Sequence, residues 1–442
     1  MASEPLSVDA VRVRAAPSVG WTILLLAVAV ASGSTIQSAF SPFAEITKAD
    51  MGLSDLQLSY LQGLAIAVPA ILVSIPLGWL VDHKTRRWLL VGMSLVWTAG
   101  QLMTVWADDF NTMMAARMVA SLGGTCVLPI VISMAADLCR PETRGRSLLL
   151  LSIGKYVGTA LAFGAGGALF GWLAARPEPL FEGLSAWRQA HLLVALASAG
   201  LTALFLIIRE PERREVALKS ASLGQSAAAL WSRRAFLIPL FIGQISVIMA
   251  DNAALTWTAP VLSRQFGLSP EDFAGWVGGL VLAAGVAGSV IGGIAADAGH
   301  RWRPGKGLLL GAVVASLIAL PCAVFPLAPT VPMFALLLGV LLLAGTATGL
   351  LTATAIAVLV PNEFRGLCLG AFIVFGVLFG FGIAPTLVTV GSQILGGESQ
   401  LGLSLAVVGL ASGAIAVLAF VLAMMRAPSH SEDHASRTQA AA

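Results

Sequence analysis

Charged side chains are scarce in this sequence, and three of them stand where charge is costly. Lys155, Asp251 and Arg117 lie inside long apolar stretches. An ionisable group at the centre of a lipid-embedded helix costs about 3 kcal/mol on insertion scales, so it is kept for pairing or for function. Lys155 falls in SLLLLSIGKYVGTALAF, ~12 Å beyond the start of its stretch at about 1.5 Å per residue. Its ammonium can attract an anionic group such as a carboxylate in a central cavity, or pair with a carboxylate on another helix. Asp251 falls in ISVIMADNAALTWTAP. There it can exchange a proton and trade partners with Lys155, or face water at the outer end and stay ionised. Arg117, nearer the end of its stretch, carries a planar fork suited to a carboxylate or phosphate; a structural pairing is equally open. Gln37, Gln62, Tyr156, Asn252 and Trp257 can add hydrogen bonds or stacking, or serve packing instead. Trp257 also suits an aromatic belt at the membrane surface.

The elements that must hold these residues are membrane helices. The chain is 57% hydrophobic and only 11% charged, whereas soluble domains carry about 25% charged residues. Twelve apolar segments can be drawn: 20–44, 58–81, 88–107, 112–136, 148–173 and 189–208, then 235–259, 273–296, 307–326, 332–359, 367–391 and 402–425. Each approaches or exceeds the ~20 residues that cross a bilayer. Lipid offers backbone groups no partner, which leaves helices or a closed barrel. The strict alternation of barrel strands does not occur, so an all-α membrane protein is expected. Its parts read as an N-terminal tail (1–19), a six-helix bundle (20–208), a linker (209–234) with an interfacial helix over 223–231, a second six-helix bundle (235–426) and a polar tail (427–442).

Net charge is +3, but its distribution matters more. With the N-terminus inside, only Lys48, Arg176, Arg188 and Arg264 among the basic residues of the body fall outside. The positive-inside rule therefore places both termini in the cytoplasm, in a multi-pass protein of the kind found in a bacterial inner membrane. It also explains the basic loops without nucleic acid. The four cysteines are scattered and lack metal-ligand spacing. His83, His191 and His300 stand alone. Closely spaced glycines near Gly164 and Gly288 lie within apolar helices, away from the strand–turn–helix setting of a nucleotide site. No enzyme, cofactor or metal is indicated, nor ATP-driven transport.

The second segment and its lead-in, Gly52 to Arg87, recur 215 positions later without a gap. Gly52-Leu53-Ser54 returns as Gly267-Leu268-Ser269, Gly63 as Gly278, Ser74 as Ser289, Gly78 as Gly293, Asp82 as Asp297 and Arg86 as Arg301. A parallel repeat of two halves is a transporter signature. Gly78-Trp-Leu-Val-Asp82 followed by Arg86-Arg87 resembles the loop 2–3 signature of the major facilitator superfamily. Asp297 and Arg301 resemble its copy in loop 8–9, and Asp137 with Pro141–Arg146, including Arg144, resembles the loop 4–5 element. The lead-in to the second helix and AALTWTAPVL in the seventh are similar to the spinster-like branch. That resemblance implies two pseudo-symmetric six-helix bundles around a central site, with Asp82 and the loop arginines holding the halves together on the cytoplasmic side. The sequence departs from the branch at the first helix, which has no carboxylate before Glu45, and at Gly124, where a glutamate is usual.

The expectation is a secondary transporter working by alternating access, carrying a small organic anion with protons as a monomer in the bilayer. Export of a lysolipid-like or drug-like amphipath is the rival, and a transporter-like receptor that does not translocate is the third reading.

Overall fold

The computed structural model describes residues 19–139, 141–213, 230–303 and 306–427, without the side chains of 75, 141–146 and 362–363. The terminal tails, the centre of the linker with most of its expected helix, and the side chain of Arg144 lie outside the described residues. Among the described residues fifteen α-helices follow in order: α1 Val19–Ser38, α2 Ala44–Met51, α3 Asp55–Gln62, α4 Leu64–His83, α5 Arg86–Val105, α6 Phe110–Leu138, α7 Pro141–Ala174 and α8 Ala186–Phe205 form the first half. The second half holds α9 Arg234–Phe266, α10 Pro270–Trp302, α11 Lys306–Cys322, α12 Val331–Leu359, α13 Asn362–Gly376, α14 Ala384–Ile394 and α15 Leu401–Met425. They assemble into twelve segments long and apolar enough to cross a membrane. Helices α1 and α2 share the first span, α3 and α4 the second, and α13 and α14 join through a π-helical stretch, Val377–Ile383.

The repeated residues repeat their structural work. Gly52 and Gly267 end α2 and α9 in the left-handed region, at φ 64° and 66°, which a β-carbon would penalise. Two residues on, Ser54 and Ser269 open α3 and α10 in capping boxes with Gln57 and Asp272, satisfying backbone donors that a helix start leaves open. Gly63 and Gly278 lie at the two crossings between halves. A β-carbon on Gly63 would stand 2.5 Å from the Phe381 carbonyl, and one on Gly278 2.6 Å from that of Ala160. Here the backbones themselves are the interface.

The apolar cores show how the halves meet. One cluster draws on both: Phe40, Phe43, Leu61 and Trp187 pack with Trp257, Phe273, Phe334 and Val388. Two further clusters each belong to a single half, around Trp97, Ile130 and Phe205 in the first and around Phe236, Leu309 and Phe420 in the second. The molecule therefore has a joined end, where α2 meets α3 and α9 meets α10, and a parted end, which carries Arg86, Arg87, Arg301 and Arg303. Along the α7–α10 crossing the last tight approach from the joined end is Tyr156 on Gly285. Along α4 it is Ala67 beside Gly382, whereas Gly78 has no atom within 4 Å of where a β-carbon would stand.

Candidate functional site

Lys155 lies on α7 where that helix packs closely against α1 and α10. This residue follows Gly154, which presses on the backbone of Ala27 in α1, and precedes Tyr156, which covers Gly285 in α10. Small neighbours hold α7 against both helices and leave Lys155 on the face between them, where it is exposed. Among the described residues its ammonium has no hydrogen-bond or ion-pair partner. Asp251 stands on α9, in the other half. It is close enough to feel the Lys155 charge, yet forms no ion pair with it. Its carboxylate rests against Gly345 of α12, where a β-carbon would overlap it. The residue is partly exposed, but Oδ1 is sealed without a hydrogen-bond partner. The geometry thus brings a cation on α7 of the first half within electrostatic range of a half-buried carboxylate on α9 of the second.

The other residues considered from the sequence take different places. Arg117 is only 1% exposed; its Nε donates to the Leu61 carbonyl at 3.3 Å and its Nη2 to that of Gln37 at 3.2 Å. Its guanidinium lies over the Phe40 ring at 4.9 Å. Carbonyl oxygens and a ring face, rather than a carboxylate, hold it, and it ties α6 to α1 and α3. Gln37 is half-buried, and its backbone serves Arg117. Gln62 is buried and reaches across the halves to the Thr256 carbonyl at a long 3.5 Å. Asn252 donates to Ile248 of its own helix at 3.0 Å. Trp257 is fully buried, its indole N–H donating to Pro385 at 3.2 Å. A buried indole needs such a partner, so it packs α9 on α14 rather than joining an aromatic belt.

At the parted end the loop motif binds within the first half. Arg86 is 1% exposed and joins Asp137 and Ser133 of α6 to Glu210 and Pro211 beyond α8. The backbone N–H of Arg87 also donates to Glu210, at 2.7 Å. Asp82 is exposed; its carbonyl, with those of Val81 and Lys84, accepts from Arg213. In the second half Arg301 is exposed and, among the described residues, bonds only back to the Asp297 carbonyl, at 3.2 Å, and a β-carbon on Gly293 would have Leu350 as its nearest contact, at 3.8 Å. With the halves apart here, these residues brace loop ends rather than join bundles.

A charged clasp at the joined end does join them. Arg264 at the end of α9 forks onto Glu45 of α2, at 2.9 and 2.8 Å, and onto Asp55 of α3, at 2.8 and 2.6 Å. Lys48 adds a bond to Asp55 at 2.7 Å and another to Glu398. Glu398, which precedes α15, also accepts the first backbone N–H of α3 at 3.0 Å, so the second half caps a helix of the first. Asp55 is 0% exposed. Sequence reading ranked depth within a span and passed over charges at span ends. Their one signal was the presence of Lys48 and Arg264 on the side otherwise poor in basic residues.

Comparison with known proteins agrees with this architecture. The family model described as Major Facilitator Superfamily matches residues 23–385. A chloramphenicol resistance protein of Streptomyces lividans is 26% identical over 254 residues, 56% of this chain and 59% of that protein. A 3-(3-hydroxy-phenyl)propionate transporter of Escherichia coli K12 is 29% identical over 153 residues, 34% of this chain and 37% of its own. The chain thus spans less than two thirds of these relatives. A crystal structure of a bacterial homolog of the human lysosomal transporter Spinster, inward-facing and unoccupied, superposes with a TM-score of 0.74 at 20% identity, covering 93% of this chain and 97% of that one. That likeness is one of fold.

Proposed function

This chain belongs to the major facilitator superfamily, and we propose that it is a secondary transporter that carries a small organic anion with a proton by alternating access. The observation that carries the reading is Lys155, exposed and, among the described residues, without an ion-pair partner, within electrostatic range of Asp251 in the other half. An anion entering between the halves would neutralise Lys155, and a proton on Asp251 would remove the charge that competes for it. Loaded with both, this space is free of net charge and can close; with one alone, a charge stays buried at a cost of several kcal/mol. That difference is what couples the two fluxes. The relative named for 3-(3-hydroxy-phenyl)propionate, itself a carboxylate, supports the substrate class. By the positive-inside rule the parted end is cytoplasmic, so the structure is inward-open.

The test is uptake of a panel of aromatic and aliphatic acids into proteoliposomes under an imposed proton gradient. Lys155→Ala is expected to lower initial rates at least tenfold while the purified protein keeps its elution profile and Tm. Unaltered uptake across the panel would remove the reading.

Export of an amphipathic drug-like molecule is the second reading, favoured by a separate feature. Helices α1, α7 and α8 enclose an apolar cleft of about 380 Å³ lined by Val28, Ile36, Phe43, Leu161, Leu169 and Leu201, among others. The likeness to a chloramphenicol resistance protein points the same way. Counterflow in liposomes separates either carrier from a receptor that binds without exchange.

A further inference from the structure

Every residue that lines the apolar cleft between α1, α7 and α8 belongs to the first half, whereas Lys155 and Asp251 lie on different halves. Leu161, Ala165 and Ala197 of its lining are exposed, so it opens sideways, toward lipid. The repeat shows why it exists. In the second half α15 closes on α9, and a β-carbon on Gly243 would stand 3.1 Å from the Phe420 ring. The residue 215 places before Gly243 is Val28, which lines the cleft. Helix α8 accordingly meets α1 along much less of its length than α15 meets α9.

The lining decides what can fill this space. Its three hydroxyls are all spent within the protein. Ser32 donates to the Val28 carbonyl at 2.9 Å, and Thr35 to those of Ala31 and Gly158 at 2.9 and 3.0 Å. Ser198 accepts from the Trp97 indole at 2.6 Å and bonds Thr98 at 2.9 Å. What remains is a carbon surface inside membrane spans, which left empty would forfeit its dispersion contacts. Its length suits an acyl chain. Val157 to Leu169 rises about 18 Å along α7 at 1.5 Å per residue, against the ~15 Å of one leaflet, half of a ~30 Å hydrocarbon core.

The end of the cleft nearest the joined side adds a second recognition element. Val157, Leu161, Ala165 and Leu169 follow at intervals of four, and the same helical face runs on through Trp172 to Arg176. The Arg176 backbone N–H donates to the Leu173 carbonyl at 3.3 Å, so the helical course holds this far. Trp172 is exposed, as suits the membrane surface, and the Arg176 guanidinium lies over its ring at 4.8 Å. Among the described residues Arg176 has no ion-pair partner; Glu178 and Glu182 of the loop that follows are exposed and leave it free. A guanidinium suits a phosphate.

We propose that the cleft holds one acyl chain of an anionic phospholipid of the outer leaflet, whose phosphate meets Arg176 beside Trp172. The second reading of function fills the same cleft with an exported amphipath, and the two occupants exclude each other.

Thermal unfolding of the delipidated full-length protein in detergent, titrated with dioleoyl phosphatidylglycerol or dioleoyl phosphatidylcholine, tests it. Both lipids are expected to raise Tm saturably, phosphatidylglycerol at about fivefold lower concentration, the worth of ~1 kcal/mol for one basic residue near a charged headgroup. Arg176→Gln should level the two lipids. Ala165→Phe and Ala197→Phe, which fill the cleft from opposite walls, should abolish both effects, while Leu418→Phe on exposed α15 surface should keep them. Tm without added lipid is the folding control for each variant. Equal half-saturation by the two lipids in the parent, or a rise in Tm that survives both filling variants, overturns the proposal. Drug counterflow that is lost in Ala165→Phe, with neither lipid shifting Tm in the parent, would overturn it in favour of the exported amphipath.

Discussion

At the scale of single residues, two buried charges separate by what surrounds them. Asp251 keeps its place only because position 345 lacks a side chain. Gly345→Ala would push a methyl group into the carboxylate, and relieving such an overlap costs about 1–3 kcal/mol. We expect this variant to fold, to lose about tenfold in initial uptake rate, and to show a pH profile displaced from that of the parent. A profile that superposes on the parent's would mean that Asp251 takes no part in coupling. Arg117 gives the opposite expectation. Its bonds run to the backbone of Leu61 and Gln37, and hydrogen bonds from a charged group are worth about 1.5–3 kcal/mol each. Arg117→Gln should therefore lower stability by about 2–3 kcal/mol in denaturant titrations and leave KM for the substrate unchanged. A KM raised tenfold at unchanged stability would place Arg117 at the substrate instead.

At the scale of elements, the second span breaks where the eleventh widens into a π-helix. Helix α3 ends at Gln62 and α4 begins at Leu64; opposite this break the chain runs as a π-helix from Val377 to Ile383. Such turns mark functional positions in helices, and here the two irregularities touch through Gly63. Gly63→Val would wedge the crossing apart. Its expected outcome is loss of transport with a Tm lowered by several degrees, while Gly78→Val, with open space around it, leaves Tm unchanged. Equal Tm for the two variants would deny the crossing its role.

The positions of these helices were legible in the sequence, because lipid forces apolar runs into helices of nearly fixed length. The Gly-Leu-Ser repeat was legible because a left-handed cap and a serine cap each demand a residue type. The break at Gly63 was not, since a glycine inside an apolar run reads equally as packing. Nor was the clasp: its partners across the halves are 209 to 350 residues apart, and a charge at the end of a span looks like one facing water. Lys155 and Asp251 were found by depth alone, and depth could not tell that the Asp251 carboxylate is pressed against Gly345 of its own half.

At the scale of the whole molecule, two rigid halves share one core at one end and keep separate cores at the other. Under the alternating access proposed above, the shared end would have to part, and the clasp would set how readily it does. Arg264 is the hub, contacting both Glu45 and the wholly buried Asp55. Removing one partner of a buried ion pair costs about 3–5 kcal/mol, because the other charge is left uncompensated. Lys48 still neutralises Asp55 in part, so Arg264→Ala should fall near the lower figure, a shift of about a hundredfold toward the state open at this end. Spin labels at positions 51 and 396, one on each half, would report it: the parent is expected to show one short distance, and the variant a second, longer population. Lys48→Ala should move the balance less, since Arg264 still serves Asp55 and the α3 backbone still serves Glu398. The double variant should be open more than either single one, and by more than their sum, because each single variant retains a cation for Asp55. Strict additivity would mean that the two cations act on separate contacts, and an unchanged distance in Arg264→Ala would show that the shared apolar core alone holds this end closed.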